Sequence, residues 1–313
     1  MITLLSDFGY QDSYVAAMKG AIACIAPAEI TCDLTHNISP QDILAARFNL
    51  MMAYPYFPLG TVHLAVVDPG VGSARQAIAL HCASGFFVGP DNGIFTGVLQ
   101  QQQVISAVAL TNANYWRKGL HSSGVSHTFH GRDIFAPAAA YLAKGVPIDE
   151  LGDRLDPRHL VQLNLPSYRA LTGPIAEVGA ETGTEVGAET GTEESSAALR
   201  LKVSPKTYLG NLQYIDHFGN LISNLPGDLV HRCSPMPETD QPWQVRLATP
   251  TGRHHLLGIK TYAQMPIGTL FALVGSHGYI EIACNQGNAA QVLHLATDAQ
   301  SVCAQQVWLE ILS

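Results

Sequence analysis

The chain has 313 residues, 47% of them hydrophobic and 13% charged, a length that suits two domains and a composition that suits a packed core rather than disorder. Its 17 basic and 25 acidic residues leave a net charge of −8, which argues against non-specific binding to nucleic acid or acidic lipid. No apolar run reaches the roughly 18 residues of a membrane span, Asp7 follows the start too closely for a signal peptide, and six scattered cysteines without a Cys-x-x-Cys pair read as reduced thiols of a cytoplasmic protein.

The first third alternates strand and helix. Ile2 to Ser6 is an apolar run ending at Asp7. Tyr14, Met18, Ile22 and Ile25 then recur at helical spacing until Pro27 stops them. Glu29 to Cys32 makes a second strand, ending at Asp33. In Ser39-Pro40-Gln41-Asp42, Ser39 can cap, Pro40 suits a first turn, and Asp42 sits where a capping box wants its acid. Ile43, Leu50, Met51 and Tyr54 continue that helix to Pro55. Thr61 to Val67 is a third strand, ending at Asp68. Two β-α-β units in succession predict a Rossmann-like α/β domain, residues 1–165, with a largely parallel sheet. Ala77 to Leu80 and Val104 to Leu110 add strands to it, and Asp133 to Lys144 a helix followed by Gly145.

Residues 166–206 form a linker with an acidic insertion. Glu177 to Thr184 reads EVGAETGT, and Glu185 to Thr192 repeats it letter for letter. The stretch has almost nothing to bury and reads as a solvated duplication in a surface loop. From 207 to 313 the pattern changes to short strands split by turns: Leu209 to Ile215, Asn220 to Leu225, Gln244 to Ala248, His255 to Ile259, Thr269 to Val274, Tyr279 to Ala283 and Val307 to Leu312. Such strands predict a small antiparallel, barrel-like β domain.

Chemistry should gather where strands of an open α/β sheet end, because ligands bind beyond their carboxyl ends. Asp7, Asp33 and Asp68 all fall there, although any one of them could simply cap a helix or shape a turn. After Asp68, the glycines of Asp68-Pro69-Gly70-Val71-Gly72-Ser73-Ala74-Arg75 invite a dinucleotide reading. The third glycine of that fingerprint would fall on Arg75 and a strand follows instead of a helix, so the match is poor. The segment instead offers an acid and an arginine that a tight turn could fold together. His127 and His130 are three apart and could share a helix face. No second pair has ligand spacing, since His254 and His255 alternate faces on a strand, so no metal site is read. A histidine in acid–base or polarising chemistry fits Asp68 and Arg75 better.

At this point the sequence resembles a known family, the S-adenosyl-L-methionine hydroxide adenosyltransferases, relatives of the S-adenosyl-L-methionine-dependent fluorinases and chlorinases. The motifs that carry the resemblance include Ser6-Asp7-Phe8-Gly9, Asp33-Leu34-Thr35-His36, Val67-Asp68-Pro69-Gly70-Val71-Gly72, Pro90-Asp91-Asn92-Gly93, Phe129-His130-Gly131-Arg132-Asp133, Ile215-Asp216-His217-Phe218-Gly219-Asn220 and Gly278-Tyr279-Ile280-Glu281-Ile282-Ala283. The resemblance implies an α/β domain plus a β-barrel-like domain. It also implies attack of water-derived hydroxide on C5′ of S-adenosyl-L-methionine, giving adenosine and L-methionine without a cofactor. By motif, Asp68, Arg75 and His130 surround the water, with His127 a near neighbour of uncertain share. Asp68 and His130 would hold the water and take up its proton, and Arg75 would stabilise the developing hydroxide. Asp7 would hold the ribose hydroxyls, Asp216 and Ser276 the methionine ends, and Asn220 and Tyr262 would face the adenine. His277 stands where halogenating relatives place Arg. Those relatives carry Tyr at the position of Asp68, and the fluorinases carry Ser at that of Gly131. The resemblance further implies a homotrimer or a multiple of it, with sites at subunit interfaces. The competing readings are a halogenase and a non-catalytic module that binds S-adenosyl-L-methionine or adenosine.

Overall fold

The structure, a computed structural model, describes residues 1–117, 125–171, 206–232 and 242–312. The duplicated acidic stretch and Cys233 lie outside the described residues. The chain divides into two compact units, Met1–Leu165 and Pro166–Ser313. Among the described residues no helix is long and apolar enough to cross a membrane.

The first unit holds strands β1 (Ile2–Ser6), β2 (Thr31–Thr35), β3 (Thr61–Val66), β4 (Ala77–Cys82), β5 (Gly85–Pro90), β6 (Val104–Ala109) and β7 (Asp153–Arg154) in the sheet order β2-β1-β3-β5-β4-β6-β7. The pairs β1–β2, β1–β3 and β3–β5 are parallel. The pairs β4–β5, β4–β6 and β6–β7 are antiparallel. The sheet is parallel across β2-β1-β3-β5, as expected, and becomes mixed where β4, the hairpin partner of β5, and then β6 and β7 extend it antiparallel. Helices α1 (Tyr14–Ile25), α2 (Ile43–Ala53), α3 (Thr96–Gln101) and α4 (Ala136–Ala143) complete the unit. Ile2 and Leu4 of β1, Met18 and Ile22 of α1, Leu64 of β3 and Ala139 of α4 share one core, each 1% exposed or less. Full burial of an aliphatic side chain of this size stabilises by about 1.5–3 kcal/mol.

Three local readings are corrected. Strand β2 runs through Asp33 to Thr35, so Asp33 does not end a strand. Its Oδ2 instead accepts from Lys19 Nζ at 2.7 Å and from the Tyr10 hydroxyl at 3.1 Å. The cap of α2 is Asp42, not Ser39: Asp42 Oδ1 accepts from the Ala45 N–H at 2.8 Å. Gln41, at φ +67°, breaks the helical path that a cap at Ser39 would need. Finally, α4 starts at Ala136, preceded by a π-helical turn over Gly131–Phe135.

The second unit is antiparallel, as expected. Its strands β8 (Arg169–Leu171), β9 (Lys206–Ile215), β10 (Leu221–Pro226), β11 (Trp243–Thr249), β12 (Gly252–Leu257), β13 (Leu270–Val274), β14 (Tyr279–Cys284) and β15 (Gln306–Ile311) run in the order β12-β11-β15-β9-β10-β14-β13, with β8 paired to β9. A bridge between Gly258, just past β12, and Ala272 of β13 brings the two edges together, and the Ile259 N–H donates to the Ala272 carbonyl at 2.8 Å. The sheet is thus a nearly closed barrel around Val245, Ile282, Val307 and Leu309, all fully buried. Closure satisfies edge groups that an open sheet would expose.

Candidate active site

An open cleft of about 400 Å³ in the first unit is lined by Asp7, Phe8, Gln41, Asp68, Phe129 and His130 among others. It lies at the carboxyl ends of β1 and β3, where parallel strands leave room for a ligand. Asp7 follows β1, and its Oδ2 accepts the Gln41 N–H at 2.8 Å. Phe8, Tyr14 and Phe129 pack edge or tilted against one another, 5.3–5.7 Å between ring centroids, and make an apolar wall.

Asp68 and Arg75 meet as the tight turn between them predicts. Arg75 Nε donates to Asp68 Oδ1 at 2.8 Å and Nη2 donates to Asp68 Oδ2. The pair is bidentate, and its side chains are only 7% and 10% exposed. Gly72 makes the turn possible. It has φ +78°, and a Cβ there would stand 2.6 Å from the His127 carbonyl oxygen, so only glycine lets the turn lie against the histidine loop.

His130 joins this pair. Arg75 Nη2 stands 2.9 Å from His130 Nδ1. A guanidinium has only donors, so Nδ1 accepts and the ring proton sits on Nε2. Burial first, then Arg75 and His127, hold His130 below its ordinary pKa, against the opposing pull of Asp68 and Asp133. The guanidinium also lies 5.2 Å from the ring centroid of Phe135, the last residue of the π-helical turn; such turns recur at functional sites. His127 is exposed, so His130 is the histidine brought to Arg75.

Two supporting contacts were not read from the sequence. Asn92 Nδ2 donates to the Val67 carbonyl at 2.8 Å, bracing the backbone beside Asp68. Asp133, 3% exposed, accepts from Arg132 Nε at 2.6 Å and from the Ser126 N–H at 3.0 Å, anchoring the loop that carries His127 and His130. Both lie in motifs that carry the family resemblance, which was the available signal.

The other expected residues cluster within the second unit. Asp216 Oδ1 accepts from the Phe218 and Asn220 N–H groups at 2.9 and 2.8 Å. Asn220 Nδ2 lies 3.0 Å from Asp216 Oδ2 and 3.4 Å from the Tyr262 hydroxyl. Ser276 stands exposed in the turn between β13 and β14. Among the described residues no group of three or more His, Cys, Asp or Glu is arranged to hold a metal ion.

The chain matches the SAM hydroxide adenosyltransferase N-terminal domain over residues 2–152 and the C-terminal domain of that family over residues 210–302. It is 34% identical to an (R)-S-adenosyl-L-methionine hydrolase of Salinispora tropica, over 93% of each chain. It is also 34% identical to one of Thermus thermophilus, over 94% of this chain and 95% of that one. A fluorinase of an Actinoplanes species is 25% identical over 56% of this chain and 65% of that protein. Among solved structures, an uncharacterized conserved protein of Thermotoga maritima superposes with a TM-score of 0.76 at 29% identity, over 99% of this chain and all of that one.

Proposed function

The chain belongs to the SAM hydroxide adenosyltransferase family, and from that premise we propose that it hydrolyses S-adenosyl-L-methionine to adenosine and L-methionine, without a cofactor. The observation that carries the reading is Arg75 bridging Asp68 and His130 at the edge of the cleft.

The reaction forms a C5′–O bond and breaks the C5′–S bond. The electron pair returns to a sulfonium that becomes a neutral thioether, so no acid is needed for the leaving group. The difficulty lies in the nucleophile, since bulk water has a pKa of ~15.7. Each Asp68 oxygen accepts from Arg75 and keeps a lone pair with which it orients the water and takes up its proton. Arg75 stabilises the hydroxide as it develops. His130 has its acceptor nitrogen engaged by Arg75, so it acts by holding the guanidinium and by offering its Nε2–H, not as the proton acceptor. Asp7 is assigned to the ribose hydroxyls, and Asp216, Asn220, Tyr262 and Ser276 to the rest of the substrate. Hydroxide meeting a sulfonium annihilates charge, so a site that excludes water favours it.

The same proposal includes a homotrimer or a multiple of it, which light scattering tests. It includes a reducing, cytoplasmic setting, supported by the free thiols of Cys24, Cys32, Cys82 and Cys284. Purified protein incubated with S-adenosyl-L-methionine in ¹⁸O-labelled water should yield adenosine labelled at C5′, seen by chromatography and mass. A 5′-halo-5′-deoxyadenosine as main product would establish the halogenase instead. Binding without turnover would establish a sensing module.

A further inference from the structure

Behind Tyr262 and His277 lies a buried carboxylate to which neither the motifs nor the mechanism gives a role. Glu281, on β14, is 6% exposed. Its Oε1 accepts the Tyr262 hydroxyl at 2.6 Å, and its Oε2 stands 3.0 Å from His277 Nε2. His277 Nδ1 accepts the Tyr279 N–H at 3.1 Å, so the ring proton sits on Nε2 and points at Glu281. Both ring nitrogens are engaged inside the unit, and neither is left for a substrate carboxylate.

Tyr262 is held differently at its two ends. Its hydroxyl is tied to Glu281 and lies 3.4 Å from Asn220 Nδ2, while 40% of the residue stays exposed and its ring meets buried Phe271 edge-on at 5.3 Å. An exposed aromatic anchored by its polar tip is pre-organised for stacking rather than free to collapse.

The backbone is built around the Glu281–His277 pair. A Cβ on Gly275 would stand 2.4 Å from His277 Nε2 and 2.6 Å from Glu281 Oε2. The space beside position 275 is therefore filled by the two polar tips.

We propose that Glu281 is a positioning residue for substrate binding: with Gly275 leaving room, its carboxylate fixes the Tyr262 ring and locks His277 away from the ligand. This rests on the reading of the chain as an S-adenosyl-L-methionine hydrolase. Losing the bond that fixes the Tyr262 ring returns its ordering cost to the binding step, which should weaken substrate binding about tenfold. Binding interactions felt equally before and in the transition state appear in KM and not in kcat.

The test uses Glu281→Gln, which leaves one acceptor oxygen for two donors, and Gly275→Ala, which keeps every polar group but wedges the pair apart. Steady-state adenosine formation should show KM raised about tenfold in each, with kcat within twofold of the parent. In a Tyr262→Phe background, Glu281→Gln should raise KM by less than it does alone. A merely structural role would lower Tm and leave the KM of the folded enzyme unmoved. KM within twofold of the parent in both variants overturns the proposal while the hydrolase reading stands. Should Glu281→Gln not fold, Gly275→Ala decides by the same split. A parent enzyme that makes no adenosine overturns the hydrolase reading and this one with it.

Discussion

Replacing Asp68 by Asn removes a charge while nearly preserving shape, and its consequences can be worked from the geometry. The carboxylate accepts two bonds from Arg75 inside a pair that is 7% and 10% exposed. An amide keeps one acceptor and turns an N–H₂ toward a donor. Breaking a buried ion pair costs about 3–5 kcal/mol; with one bond retained, about 3 kcal/mol is expected, a fall in Tm of roughly 6–12 °C for a unit of this size. The Phe135 ring and His130 still hold the guanidinium, so the unit should fold. Turnover should suffer more, because Asp68 is the proposed proton acceptor: kcat should fall by about 10²–10⁴, or ~3–5.5 kcal/mol of barrier. Affinity for S-adenosyl-L-methionine, measured by calorimetry, should change little, since Asp68 is assigned to the water. Asp68 also pulls the His130 pKa upward, so the His130 titration followed by NMR should move further down in the variant. A kcat within tenfold of the parent would refute the assignment of Asp68 as proton acceptor.

Other expectations follow from the same contacts. His130→Ala should lower kcat strongly and His127→Ala mildly, since only His130 meets Arg75; the reverse ranking in adenosine formation would move the role to His127. Burial and the neighbouring Arg75 and His127 depress His130 against Asp68 and Asp133, so kcat/KM should stay flat as pH falls through 6.5 and drop only below it, when a protonated ring loses its bond from Arg75. His63 is 1% exposed, accepts or donates at Thr3 Oγ1 across 2.8 Å, and is held by burial to a pKa of about 4. The unfolded chain binds that proton near 6.5 and the folded one does not, so stability present above 6.5 is lost as pH falls to about 4. The loss is roughly 3 kcal/mol at 1.36 kcal/mol per pH unit, and His63→Leu should flatten the melting profile across that window. Reactions run with excess chloride or fluoride should give adenosine and no halogenated nucleoside by chromatography.

Much of the strand pattern was legible because apolar runs bounded by Asp, Gly or Pro leave few alternatives. Ile2–Ser6 and Tyr279–Cys284 are such runs. The parallel expectation held across β2, β1, β3 and β5, while the antiparallel place of β4 between β5 and β6 depends on pairing that a local apolar run does not specify. The π-helical turn after His130 could not be read either, since an apolar pattern does not distinguish one extra residue per turn. Asp68 and Arg75 were legible because a tight turn joins them. Glu281, Asn92 and Asp133 were not, because a polar side chain that reaches across the fold leaves no periodicity. Asp33 misled for the opposite reason: its place after an apolar run looked like a strand end, while Lys19 and His36 make it a structural anchor. Burial alone would raise the Asp33 carboxyl, but those two partners outweigh it and hold it below its ordinary range.

In the proposed mechanism, Asp68 and Arg75 together account for a choice of water over halide. A halide entering beside Asp68 adds a second negative charge where one already stands, and two like charges 4 Å apart at an effective dielectric of ~20 repel by about 4 kcal/mol. The charge of Arg75 is already balanced by the ionised carboxylate, so it does not also offset a halide; it offsets hydroxide only as the transferred proton neutralises Asp68. Water enters uncharged. It becomes hydroxide only as its proton passes to Asp68, so one anion appears as the other disappears. The negative charge beside the guanidinium moves by one bond and never doubles. Arg75, fixed between Asp68 and His130, can follow that charge without moving, which is the property a preorganised site needs. An uncharged residue in place of Asp68 would relieve the repulsion and remove the proton acceptor together, so one side chain both admits water and turns halide away.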